Sequence, residues 1–252
     1  MNNSRSTTSP VWPTHWPPNS FRALPTFLAV LAIVAIVVIF VAVGVAWLLK
    51  AHAPATPCGG VALLPAITIQ GALEFCIVAF LIAALPRLSG FSLRDLGFAA
   101  PTASQIGVAT LGALAMILLV NGSAAAIDAF LHTKHEQDVV RMLRCVSDRP
   151  TLVVFAVFAT IIAPLAEEFI FRIFVFNIGL RYGGFWVAAI VSAALFGLSH
   201  GDLIAFAPLM LGGVILSYVY YSTRNAYMSM ITHGLFNAAT VLTLVFAPQL
   251  TK

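Results

Sequence analysis

Residues 164–172 read Pro164-Leu165-Ala166-Glu167-Glu168-Phe169-Ile170-Phe171-Arg172, and they set three ionisable side chains inside a run, Thr151 to Phe176, that otherwise reads as lipid-soluble helix. Charge at that depth needs a reason. A charged side chain near the middle of a bilayer costs about 2.5 to 3.5 kcal/mol on insertion scales, so three left unpaired would cost on the order of 8 kcal/mol. They must face protein or water. The 3.6-residue period puts Glu168 and Arg172 one turn apart on one face, with the carboxylate N-terminal to the cation, the better order for a pair. Glu167 is rotated about 100° from Glu168 and has no partner on its own helix. One carboxylate is thus neutralised in place, and the second is free to meet groups from other helices.

The chain around this stretch belongs to a membrane. Its 252 residues are 60% hydrophobic and 9% charged, where a soluble domain carries about 25% charged residues. Several runs exceed the roughly 20 apolar residues that cross about 30 Å of hydrocarbon, and the length allows about seven such spans. The expected fold is therefore all-α, a bundle of about seven transmembrane helices around an intramembrane polar cavity. The net charge of +4 comes from 13 basic and 9 acidic residues, the bases mostly in loops, and nothing in the pattern points to nucleic acid. The cysteines, Cys58, Cys76 and Cys145, are odd in number and lack C-x-x-C spacing, so neither a disulfide framework nor a thiolate metal site is indicated.

The chain divides into three regions. Residues 1–23, rich in Ser, Thr, Pro and Asn, cannot bury a core and read as a flexible tail. Residues 24–150 hold a first span from Leu24 to Leu49, too long for the core of a typical signal peptide, and a second from about Val61 to Pro86 with Glu74 near its middle. A third runs from about Gln105 to Leu131, with Asn121 and Asp128 toward its far end. Within 132–150, Val139, Val140, Met142, Leu143 and Val146 follow the stripe of an amphipathic helix, expected on the membrane surface with Arg141 and Arg144 outward. Residues 151–248 then carry the fourth span, a short fifth from Phe185 to about Ser199, a sixth from Leu203 to Tyr221 and a seventh from Ala226 to about Phe246. Pro164 predicts a kink in the fourth, tolerated only beside protein or a wet cavity. Gly212, Gly213 and Ser217 offer the sixth a small-residue face for close contact.

Three helices place polar groups at bilayer depth: Glu167, Glu168 and Arg172; His200; and His233 with Asn237, four apart and so on one face. Each alone is more simply a helix-packing group. Together they are a functional candidate. At these residues the sequence resembles the CPBP family of CAAX proteases and bacteriocin-processing, Abi-like enzymes, which includes the type II CAAX prenyl endopeptidases. The family's E-E-x-x-x-R is matched by Glu167, Glu168 and Arg172, its F-x-x-x-H by Phe196 and His200, and its H-x-x-x-N by His233 and Asn237, in the family's order. The resemblance covers about residues 151–240, and the first three spans carry no matching motif.

The resemblance implies an intramembrane endopeptidase of a multi-pass protein in the cell membrane, acting on a membrane-anchored or prenylated peptide or protein. In that reading Glu167 and His200 activate a water, Glu168 with Arg172 gives electrostatic and structural support, and His233 and Asn237 donate to the developing oxyanion. No cofactor is expected. A glutamate with two histidines is a plausible zinc set, but H-E-x-x-H is absent, and the glutamate mechanism is favoured. The rivals are a non-catalytic immunity or scaffold protein of the same fold, which would often have lost a motif residue, and an ion-coupled carrier, for which an internal repeat with paired broken helices is missing.

Overall fold

The computed structural model describes residues 63–89, 93–144, 146 and 148–246. The tail and the first span expected from the sequence lie outside the described residues. All regular structure among the described residues is helical: α1 (Leu63–Ser89), α2 (Ala103–Leu131), α3 (Asp138–Arg144), α4 (Arg149–Leu180), α5 (Gly183–Ser199), α6 (Phe206–Thr223) and α7 (Ala226–Phe246). Of these, α2, α4, α6 and α7 are long and apolar enough to cross a membrane, while α1 and α5 contribute shorter apolar stretches, Ile67–Ala83 and Gly183–Ser199. The protein is an integral membrane protein. Four full-length candidates and two shorter ones thus stand, among the described residues, where the sequence leads one to expect spans two to seven.

Local chemistry sets the helix ends. Thr102 caps α2 by accepting from the Gln105 backbone, and the Gln105 side chain returns the bond to Thr102 N–H at 2.9 Å, so two orphan donors are satisfied together. His132 closes that helix in the left-handed region, φ 52°. Asp148 caps α4 by accepting from Thr151 N–H at 2.9 Å, with Pro150 in the first turn, where its missing N–H costs nothing. Gly184 (φ 68°, ψ −171°) breaks the helical path at the start of α5, which turns away from α4 there. The amphipathic helix is present but spans only Asp138–Arg144, shorter than the 132–150 segment. Its Leu143 is buried against Ile67, Phe155 and Val241, and Arg144 pairs with Glu136.

The bundle turns apolar side chains outward and polar ones inward. Leu111, Leu118, Phe130, Ile161, Trp186 and Leu195 are exposed, whereas Glu168, Arg172, Asn177, Ser192, Ser217, Thr232 and His233 are buried. That inversion suits a lipid solvent, which welcomes hydrocarbon and rejects unpaired polar groups. The small-residue face of α6 acts as expected: a Cβ on Gly213 would lie 2.8 Å from Ala193 Cα, so the glycine sets how closely α5 and α6 approach.

The fourth span differs from the simple kink. It is π-helical at Phe158–Ile162 and again at Phe169–Phe176, with the α-helical Ala163–Glu168 between. Pro164 has no N–H to give Thr160, and ahead of it the Ala163 N–H reaches back to Phe158 O instead of Ala159 O. Ala159 O therefore needs another donor, and Asn237 Nδ2 of α7 supplies it at 2.8 Å. The second π stretch is served likewise, with Ser192 Oγ of α5 donating to Phe171 O at 2.7 Å and Asn177 Nδ2 to Ile173 O at 3.0 Å. Irregular backbone inside a membrane survives by such side-chain donors.

Close packing of α7 on this span rests on Gly234, where a Cβ would come within 2.6 Å of Thr160 O. Gly234→Ala is expected to destabilise the protein by about 1 to 3 kcal/mol through overpacking, seen as a lower Tm in a fixed detergent. An unchanged Tm would count against that contact.

Candidate functional site

The site forms where α4, α5, α6 and α7 meet. Glu168 and Arg172 are both fully buried, and Arg172 Nη1 lies 2.9 Å from Glu168 Oε1. This is ion-pair proximity without hydrogen-bond alignment, because Nη1 has no hydrogen-bond partner among the described residues, nor do Arg172 Nε and Glu168 Oε2. The rest of the guanidinium is held by neighbours: Nη2 donates to Gly213 O at 3.1 Å, and its central carbon sits 4.8 Å from the centroid of the Phe196 ring. A cation over an aromatic face gains attraction from the ring quadrupole, more so away from water.

His233 joins the two glutamates. Its Nδ1 lies 3.2 Å from Glu168 Oε1 and its Nε2 3.7 Å from Glu167 Oε2, with the ring nearly buried. A carboxylate only accepts, so Nδ1 carries the hydrogen on the Glu168 side. In the neutral ring that leaves Nε2 as a lone pair facing Glu167. Glu167 is less enclosed than Glu168, its side chain 13% exposed against 0%, so it is the carboxylate within reach of an incoming molecule.

His200 stands apart. It is exposed at the end of α5, its Nδ1 bonded to Phe196 O at 2.8 Å, and its ring packs edge-on against Phe196 with centroids 4.8 Å apart. Because a carbonyl cannot donate, Nδ1 bears the hydrogen, and Nε2 of the neutral ring is an acceptor. Phe196 also meets His233 edge-on at 5.6 Å, so one ring touches Arg172, His200 and His233. Of the six expected residues, the structure therefore brings Glu167, Glu168, Arg172 and His233 into one cluster. It links His200 to them through Phe196, and it commits one N–H of Asn237 to the Ala159 carbonyl.

Glu74 has a partner one turn away: Gln70 Nε2 donates to its Oε1 at 2.8 Å, while its Oε2 is buried without a hydrogen bond. It is also within electrostatic reach of Glu167. The sequence does not show the parts played by Gly213 O and the Phe196 ring; the second had a signal, as the first letter of F-x-x-x-H. Among the described residues no three His, Cys, Asp or Glu side chains converge in a way that would hold a metal ion.

A helical integral membrane protein with a buried glutamate–arginine pair and a histidine bridging two carboxylates is the class that fold and site define. Within it, residues 149–239 match the family described as Type II CAAX prenyl endopeptidase Rce1-like. The matched stretch begins with α4 and contains all six residues expected at the site from the sequence. The chain is similar to the "Membrane-embedded CAAX protease MroQ" of Staphylococcus aureus (strain USA300), 35% identical over 106 residues, which cover 39% of this chain and 42% of that protein. It is also similar to the "Putative membrane peptidase YdiL" of Bacillus subtilis (strain 168), 23% identical over 143 residues, 55% of this chain and 57% of that one. The chain thus spans about half the length of these curated relatives. No solved structure matches.

Removing one member of a buried pair typically costs about 3 to 5 kcal/mol, because the other charge is left stranded. Arg172→Ala should show that loss in thermal unfolding. Arg172→Lys should recover only part of it, since an ammonium cannot serve Glu168, Gly213 O and the Phe196 face with one planar fork. Wild-type stability in the alanine variant would contradict the buried pair.

Proposed function

We propose that this protein is an intramembrane endopeptidase that hydrolyses a peptide bond in a membrane-associated peptide or protein, with Glu167 as the base. The observation that carries the reading is the pairing of unlike carboxylates: Glu168 locked on Arg172 with no exposure, and Glu167 beside it, partly open and facing His233. Two acids with different surroundings divide the labour of one site. Glu167 takes a proton from water, the oxygen attacks the carbonyl carbon, and the C–N bond breaks as the proton passes to the leaving amine. His200, whose neutral ring offers Nε2, assists at the water. Glu168 and Arg172 keep the charge balance of the site and hold His233 by its Nδ1.

His233 and Asn237 are assigned to the oxyanion. Asn237 keeps a second amide hydrogen after serving Ala159 O. For His233 to donate through Nε2 while Nδ1 stays on Glu168, its ring carries both protons during that step. Each donor of this kind is typically worth about 2.7 to 4 kcal/mol of transition-state stabilisation. The glutamate reading is preferred because the H-E-x-x-H pattern of a zinc site is absent from the sequence, and no step is assigned to a metal. The substrate class, with or without a prenyl group, and residence in the cell membrane belong to the same proposal, supported by the wording of the matched family and of MroQ.

The test is cleavage of a membrane-anchored peptide library by the purified protein in detergent. Wild type should cut, and Glu167→Gln, nearly isosteric, should keep the fold and lose about 10²- to 10⁴-fold in turnover, the usual weight of a general base. Undiminished cleavage by that variant, or none by wild type, would overturn the proposal. Stoichiometric zinc in wild type, lost with activity in Glu167, His200 or His233 variants, would overturn the glutamate assignment alone.

A further inference from the structure

The chain passes from α5 to α6 through His200, Gly201 and Asp202, turning at Gly201 with φ 67°. Asp202 organises the entry to α6. Its Oδ1 accepts from Ile204 N–H at 3.1 Å and Ala205 N–H at 3.0 Å, closing the turn that leads into that helix. Its Oδ2 is taken by His135 Nε2 at 2.6 Å, across 67 residues of sequence. His135 is itself fixed, because its backbone N–H lies 3.1 and 3.2 Å from the two Asp128 carboxylate oxygens, and Thr133 N–H bonds to Asp128 O at 3.0 Å. An unbroken series of polar contacts therefore runs from the end of α2, through Asp128 and His135, to Asp202 and the start of α6. His200 lies two residues before Asp202.

We propose that His135 is a positioning residue of the site: by holding Asp202 it fixes the turn that carries His200, from a segment outside the matched residues 149–239. The inference rests on the role of His200 at the attacking water in the proposed function. His233 is locked by burial between two glutamates, whereas His200 is exposed and held on one side only, by its bond to Phe196 O and its packing on the Phe196 ring, so the turn that follows it also bears on where its ring sits. The clasp is partly shielded, with side-chain exposures of 27% and 16%. Burial pushes the Asp202 carboxyl up, yet the His135 hydrogen bond, the Ala205 and Ile204 N–H groups and the His135 charge together hold it below the ordinary carboxylate range. Asp202 is thus an ionised acceptor, and hydrogen bonds to ionised groups are the stronger ones.

Two readouts on the full chain in detergent test the clasp. In protein labelled with ¹⁵N-histidine, the imidazole signals of His200 are assigned by their loss in His200→Gln. His135→Ala should shift them and leave those of His233 in place. In peptide cleavage, His135→Ala should lose about 10- to 100-fold in kcat, as misplaced catalytic groups do, with KM within about twofold. His135→Gln, whose amide can still donate to Asp202, should regain most of that loss. Full kcat in His135→Ala, an unmoved His200 signal, a glutamine variant no better than alanine, or a lowered Tm alone would each overturn the proposal. Should His135→Ala fail to fold, Asp202→Asn gives the same reading, since it keeps the Oδ1 acceptor for Ile204 and Ala205 N–H while replacing the charged Oδ2 acceptor that faces His135 with an amide donor. The imidazole signals need no substrate. A wild type that cuts nothing removes the protease reading while those signals still decide the clasp, and a cutting wild type with an unaffected His135→Ala removes the clasp alone.

Discussion

The buried pair of Glu168 and Arg172 is the constraint to which the rest of the bundle answers. Two fully enclosed charges in a lipid-facing protein are tolerable only if each is compensated. Compensation here draws in three other helices: Gly213 O from α6, the Phe196 face from α5 and His233 Nδ1 from α7. Each contact requires close approach. Gly213 permits it for α6, where even a Cβ would meet Ala193 and come within 3.4 Å of Arg172 Nη2. Satisfying one ion pair thereby fixes the relative placement of the helices that carry the other site residues.

The same economy governs the backbone of α4. Its two π-helical stretches flank the segment that bears both glutamates, and each diverts carbonyls from their usual donors. π turns inside helices often occur at functional sites. Asn237, Ser192 and Asn177 meet that demand, and Asn237 does so from α7, the helix that also presents His233. Placing Glu167 and supporting its irregular helix are thus one structural task.

Periodicity carried much of this into the sequence. The i, i+4 spacing of Glu168 and Arg172 identified the pair, the Pro164 position pointed to irregular backbone, and the small residues of α6 marked a close contact, all because helix geometry is local. What periodicity does not encode is which faces meet. That His233 bridges two carboxylates, that Asn237 is drawn to Ala159 O, and that His200 is exposed result from how helices far apart in sequence are packed. The π register was hidden too, since a 3.6-residue wheel assumes the regular ladder that Pro164 interrupts. Contacts such as Tyr220 Oη to Leu96 O at 3.0 Å, separated by 124 positions, and His135 to Asp202 had no signal in either residue alone.

The central claim is that Glu168 and Arg172 depend on each other for their place in the bundle. A double-mutant cycle reads this most directly, with Glu168→Ala, Arg172→Ala and the double variant unfolded thermally in one detergent. Each single change strands a buried charge, whereas the double change strands neither. The account predicts that the double variant is markedly more stable than the sum of the single losses, with a coupling of about 0.5 to 3 kcal/mol. Losses that simply add would contradict it.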